Sequence, residues 1–112
     1  AITNQQNNEH QIRLEKLDIF FLEKQKVYFE FADSYALALT NPSPENISKF
    51  RSATHKCFML NANKDFYKDA LECITCLENN ESKEKIETLY MFCVRSLSLN
   101  LEFAIEDFEY PI

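Results

Sequence analysis

Residues 14–40 read LEKLDIFFLEKQKVYFEFADSYALALT, without a proline or a glycine. Leu14, Leu17, Phe21, Lys24, Tyr28, Phe31, Tyr35 and Ala38 recur there in steps of three and four, the spacing of one face of an α-helix. Only Lys24 interrupts the apolar stripe, and Ile12, Phe20, Val27 and Phe29 widen it. The unbroken run extends back to Gln5, so the spacing predicts a first helix over residues 5–40. At 1.5 Å per residue such a helix is about 54 Å long, about three times the usual length.

The stripe stops at Asn41-Pro42-Ser43-Pro44-Glu45. Residues before proline are pushed out of the helical region, so Asn41 and Ser43 are expected to be extended. Ser43 then serves as N-cap, with Pro44 in the first helical position and Glu45 near the positive end of the dipole. The second helix is predicted over residues 44–60, with Ile47, Phe50, Thr54, Cys57 and Phe58 inward. Asn61-Ala62-Asn63 supplies a stop and a restart, because asparagine tolerates the left-handed conformation and also caps N-termini. A third helix over residues 64–78 buries Phe66, Ala70, Cys73, Ile74 and Leu77. Asn79-Asn80-Glu81-Ser82 breaks it, with Ser82 as the next cap. The fourth helix, residues 82–108, carries Ile86, Tyr90, Cys93, Leu97, Leu101, Ala104 and Phe108 on one face. The alternating run Ser96 to Leu101 is read as helix, since helical spacing continues on both sides.

These elements make an all-α chain of a single domain, an antiparallel four-helix bundle with an overlong N-terminal helix. Short links make consecutive helices antiparallel neighbours. The second and third helices reach only about halfway along the first. The bundle is therefore expected to thin into a two-helix arm, with residues 97–108 lying against residues 12–21. A two-helix arm leaves apolar surface uncovered unless a second chain covers it.

The chain of 112 residues holds no glycine. Phosphate-cradling loops, dinucleotide turns and nucleophile elbows depend on the backbone freedom of that residue, so none is present in its usual form. An apolar fraction of 46%, with ten Phe and five Tyr, is enough for a packed core in a chain of this length. A net charge of −6, with basic and acidic residues interleaved, argues against nucleic-acid binding, which needs clustered cations. No apolar run approaches the ~20 residues that span a bilayer.

Few residues offer chemistry. Cys73-Ile74-Thr75-Cys76 has CxxC spacing, yet it falls deep in a helix, away from the strand-to-helix junction where a redox pair gains its low pKa. A zinc site would need Cys57, Cys93 or His55 to complete its ligands, and these show no second paired spacing. The four cysteines read as reduced core thiols. His10 and His55 belong to no metal motif, since Asn7 and Ser52 stand where a Glu-x-x-His pair needs its acid. Glu102, Glu106, Asp107 and Glu109 form an acidic stretch that opposes the helix dipole and suits a basic partner. No nucleophile motif accompanies the serines and threonines. The chain is thus expected to be non-enzymatic and to need no cofactor.

The functional expectation is a helical protein-interaction module. The long first stripe serves either as bundle core or, in its protruding half, as a homodimer seam with Lys24 setting register. Ile12, Leu14, Leu17, Phe20, Phe21 and Lys24 are the interaction candidates. A second reading is a small acidic inhibitor or adaptor that binds a basic protein surface. A third is a thiol-redox or metal protein using Cys73 and Cys76.

The stretch Asn7-Asn8-Glu9-His10-Gln11-Ile12-Arg13-Leu14-Glu15-Lys16-Leu17, followed by the long aromatic helix and the proline-interrupted turn, resembles small uncharacterised bacterial proteins with an N-terminal membrane helix ahead of a cytosolic helical domain. The resemblance ends near Glu45 and implies no activity. It implies a membrane tether upstream of Ala1, with Arg13 and Lys16 on the positive-inside flank. The expected location is cytoplasmic, at the cytosolic face of the membrane if the tether is present.

Overall fold

In the computed structural model, the backbone of residues 4–109 is described, together with the side chains of residues 8–101 except positions 10, 14, 17 and 18. The described residues form four helices: α1 (Asn4–Thr40), α2 (Pro44–Asn61), α3 (Lys64–Glu78) and α4 (Lys83–Glu109). Every predicted element is present within about two residues of its expected ends. The helices pack α1 on α2, α2 on α3, α3 on α4 and α4 back on α1, which closes an all-α bundle.

The caps follow from side-chain chemistry. Ser43 Oγ accepts the Asn46 N–H at 3.2 Å, and Pro44 occupies the first turn beside Glu45. Asn63 Oδ1 accepts from the Asp65 and Phe66 N–H groups at 3.0 and 3.1 Å. Ser82 Oγ accepts the Lys85 N–H at 3.3 Å. One expectation is corrected here. The left-handed residue that ends α2 is Ala62 (φ 49°), not an asparagine, and its N–H returns to the Phe58 carbonyl at 2.8 Å. Asn61 instead accepts the Asn63 N–H through its side chain at 2.9 Å. Asn80 takes the corresponding left-handed position after α3 (φ 51°).

The core is aromatic at its centre. Phe31 of α1 has its ring centroid 5.1 Å from Phe50 of α2, 5.3 Å from Phe66 of α3 and 5.8 Å from Tyr90 of α4. Tyr35 stacks on Tyr90 at 3.6 Å with the rings 4° from parallel. Ala38, Ile47, Ala70, Ile74, Leu77, Ile86 and Leu97 close the core around them. The inward sets expected for α2 and α3 are buried, apart from Phe58, which is only half-buried and stacks on Tyr67 at 4.4 Å.

Two features differ from expectation on α1. Phe29, read as part of the stripe, is 61% exposed, because it lies on the far edge of the buried face set by Tyr28, Phe31 and Tyr35. The α1/α4 register is also displaced. Leu97 sits beside Tyr28 and Phe31 rather than opposite Phe21. The Tyr35–Tyr90 stack fixes where α4 starts its descent along α1, and spacing alone does not reveal that contact. Ala104 and Phe108 lie outside the described side chains.

The bundle is a rod of 64 × 22 × 17 Å. With 37 residues α1 is about 55 Å long, while α2 and α3, with 18 and 15, reach about 27 and 22 Å. The four-helix part therefore covers the C-terminal half of α1, and α1 and α4 continue beyond it.

Ala62 carries a side chain in a backbone region that costs a non-glycine residue about 1–2 kcal/mol, partly offset by the entropy glycine would lose on folding. Ala62→Gly is expected to raise stability by about 0.5–1 kcal/mol in urea denaturation. A loss of stability would show that the Ala62 methyl contributes packing that outweighs its strain.

Candidate functional site

Where the four-helix core ends, α1 and α4 are joined by polar groups. Lys24 is 5% exposed. Its Nζ donates to Asn100 Oδ1 at 2.7 Å, and Tyr28 Oη donates to the same oxygen at 2.6 Å. The Lys24 ammonium also stands 4.6 Å from the Phe20 ring centroid, within cation–π range. A buried ammonium requires such partners, because stripping water from a charge is costly unless hydrogen bonds replace it. Burial pushes the Tyr28 phenol up to about 12, so it stays protonated and a donor.

Above this cluster, on the outer side of the α1/α4 seam, runs a groove of ≈ 180 Å³. Tyr28, Phe29 and Ala32 line it from α1, and Val94, Leu97 and Leu101 from α4. Its lining is almost wholly apolar. Phe29 and Met91 are 61% and 60% exposed, and Leu22, two turns before Phe29, is 59% exposed. Helical spacing places Leu22 with Phe29 on one face of α1, and Met91 with Val94 and Ser98 on one face of α4. Single exposed apolar residues are ordinary, but several flanking one apolar groove are not.

Four exposed charged residues stand beside the seam. Asp33 follows Phe29 by one turn, and Glu87 precedes Met91 by one turn. Both acids lie close to the Tyr35–Tyr90 stack. Tyr35 is raised by burial first, then by Cys73 and Glu87. Tyr90 is raised by burial first, with Asp33 among its charged neighbours. The Tyr35 hydroxyl is buried with no hydrogen-bond partner among the described residues. Lys26 stands toward the Lys24–Asn100 contact, and Arg95 lies midway along α4 between Tyr90 and Asn100; both are exposed. Among the described residues the ion pairs are Lys49–Glu45, Arg51–Glu78, Lys56–Glu30 and Lys85–Glu81, and none of them includes Lys26, Asp33, Glu87 or Arg95.

The expected interaction residues fall in different environments. Ile12 is 48% exposed on α1, Phe20 and Phe21 are half-buried, and Lys24 is inside the chain's own α1/α4 contact. Leu14 and Leu17 lie outside the described side chains. So do His10 and the acidic group Glu102, Glu106, Asp107 and Glu109. The groove draws instead on Phe29, Val94, Leu97 and Leu101, with Met91 at its edge. A signal for it was available in sequence: the repeat of Leu22, Lys26, Phe29 and Asp33 runs at i, i+4, i+7, i+11 opposite the core stripe.

The cysteines are all buried and unbonded. Cys57, Cys73 and Cys93 turn their sulfurs toward the carbonyls of Val27, Ile86 and Phe66, at 3.8, 3.7 and 3.9 Å. Burial pushes the Cys57 and Cys73 thiols up to about 12 and raises Cys93 as well. Cys76 is raised too, by burial and then by Glu81. A thiol held protonated is a poor nucleophile and a poor metal ligand. Among the described residues, no group of three or more His, Cys, Asp and Glu is placed to hold a metal ion. His55 is exposed and lies 5.8 Å from the Tyr67 ring. A second cleft, by Pro42, Pro44, Ser48 and Arg51, is crossed by the Arg51–Glu78 ion pair, which satisfies its one cation.

No protein-family model, no curated protein and no solved structure matches this chain.

The thiols give a prediction in two parts. At pH 8 the native chain is expected to react slowly with a disulfide reagent, and all four thiols to react once it is unfolded. Their folded values lie above the ordinary thiol value near 9, so the stability they contribute is complete below about pH 9 and is lost as pH rises toward about 12. Urea midpoints measured from pH 7 to 11 should hold level and then fall. Rapid native labelling, or a midpoint unchanged at pH 11, would contradict the buried assignment.

Proposed function

We propose that this chain is a non-enzymatic helical protein-interaction module whose docking surface is the outer α1/α4 seam. The observation that carries the reading is the apolar groove lined by Phe29, which is 61% exposed, with Met91 and Leu22, each about 60% exposed, on the same two helices. Their exposure is not needed for folding, since the aromatic core is complete without them. Completing the burial of each would stabilise a complex by about 1–1.5 kcal/mol before ordering costs. The seam is rigid, made of two helices locked by Lys24, Asn100 and the Tyr35–Tyr90 stack, so little entropy is lost at the docking surface itself.

A uniformly acidic adaptor is less well supported. The net charge of −6 favours it, but Lys26 and Arg95 on the seam would repel a basic partner. For the membrane tether, no helix among the described residues is long and apolar enough to cross a bilayer.

The test is site-specific photo-crosslinking in the native cells, with a benzophenone amino acid at Phe29 and, as control, at Met59. Met59 is also apolar and is 83% exposed, but it lies on α2. The reading expects a discrete protein adduct from position 29 and none from position 59. No adduct at position 29, or equal labelling at both, would overturn it.

A further inference from the structure

Sulfur is sharply divided in this chain. All four cysteines are buried, whereas both methionines, Met59 and Met91, stand out from their helices. Neither methionine fills a gap in the core, the usual place of this flexible apolar side chain. The two kinds of sulfur therefore differ in their reach by an oxidant. A peroxide attacks a thiol through its thiolate and needs access to the sulfur. Burial denies that access at Cys57, Cys73, Cys76 and Cys93, and it also keeps the thiols protonated. A thioether has no proton to lose, so its oxidation waits only on exposure. The methionines are thus the sulfurs that an oxidant meets first.

Position separates the two. Met59 lies on α2, away from the α1/α4 seam. Met91 follows Tyr90 and stands one turn before Val94 on α4, and both of those residues line the apolar groove.

We propose that Met91 is a reversible oxidation site that sets the polarity of the seam. The oxidant is a peroxide. The Met91 sulfur attacks one peroxide oxygen, the O–O bond breaks and an S–O bond forms. The released hydroxide takes the remaining proton and leaves as water. Sulfur loses two electrons and the peroxide gains them. Reduction by a thiol-dependent sulfoxide reductase removes the oxygen as water and leaves a disulfide on the reductant. The sulfoxide places a hydrogen-bond acceptor on a side chain that was apolar. An apolar partner that covers it leaves the oxygen without a donor, which disfavours docking. Oxidation of Met91 closes the seam and reduction reopens it. This rests on the reading of the seam as a docking surface and adds its regulation. Met59 is oxidised without that consequence.

The experiment has two readouts on the folded full chain. Peptide mapping after exposure to about 10 mM hydrogen peroxide is expected to find about 16 Da added at each methionine, with the thiols still free on unfolding. Thiol loss ahead of Met91 oxidation, or a Met91 that stays reduced, would overturn the proposal. The second readout is crosslinking from a benzophenone at position 29. The purified chain is oxidised, quenched and added to untreated native lysate. In Met59→Leu, which leaves Met91 as the one methionine of residues 1–112, oxidation should lower the adduct yield about tenfold, and sulfoxide reductases should restore it. In Met91→Leu the yields with and without peroxide should agree within about twofold. Helical circular dichroism confirms that each variant is folded. An adduct that persists equally once Met91 is oxidised would overturn the switch and leave the docking reading standing. No adduct from the unoxidised chain would remove both.

Discussion

The rest of the structure depends on the Phe31 ring. It leaves α1 and meets Phe50, Phe66 and Tyr90, one aromatic from each of the other three helices, within 5.1 to 5.8 Å. Aromatic rings remove large areas from water and favour tilted or edge-on contacts, so a shared ring fixes both spacing and rotation of its neighbours. Tyr35 extends the same centre one turn further through its stack on Tyr90. Small residues make this approach possible: Ala38, Ala53 and Ala70 are buried around the rings, where larger side chains would push the helices apart. The absence of glycine has its counterpart here, since close approach is achieved with alanine and turning with proline, asparagine and one strained alanine.

Below that centre the core changes character. α2 ends at Asn61 and α3 begins at Lys64, so α1 and α4 lose two of their neighbours at about the level of Lys24. Here apolar packing gives way to Lys24, Asn100 and Tyr28, whose hydrogen bonds lock the two remaining helices in register. A buried polar group that can be satisfied in only one alignment specifies that alignment more sharply than interchangeable leucines do. The seam above it inherits this rigidity. Among the described residues no third helix covers its outer side, which is why Phe29 and Met91 stay exposed while Phe31 and Leu97 do not.

Much of the fold was legible in the sequence, because helix ends are written locally. Ser43, Asn63 and Ser82 are capping residues, and Pro42 and Pro44 stand at a helix boundary, where proline is tolerated. Core faces followed from spacing, down to Thr54, whose hydroxyl returns to the Phe50 carbonyl at 2.9 Å and so can be buried. What was not legible depends on residues far apart in the chain. The register of α4 against α1 is set by Tyr35 with Tyr90. The buried state of Lys24 is set by Asn100, 76 residues away. Ala62 gave no sign of its left-handed backbone, because alanine has no such preference. Phe29 was misread for a related reason: an aromatic beside a stripe looks like core until the covering helix is known. The site followed the same division. Its helical spacing was readable, but the pairing of an α1 face with an α4 face was not.

The seam joins these threads. Two helices held in register by Lys24, Asn100 and the Tyr35–Tyr90 stack carry an apolar groove on their outer side, and both the stack and the groove sit on the aromatic centre at Phe31. The most direct measurement is urea denaturation of Phe31→Ala beside Phe29→Ala, since Phe31 is 1% exposed and Phe29 61%. The account predicts a loss of about 3–5 kcal/mol for Phe31→Ala and under about 1 kcal/mol for Phe29→Ala. Equal losses at the two positions, or a Phe31→Ala chain as stable as the parent, would contradict it.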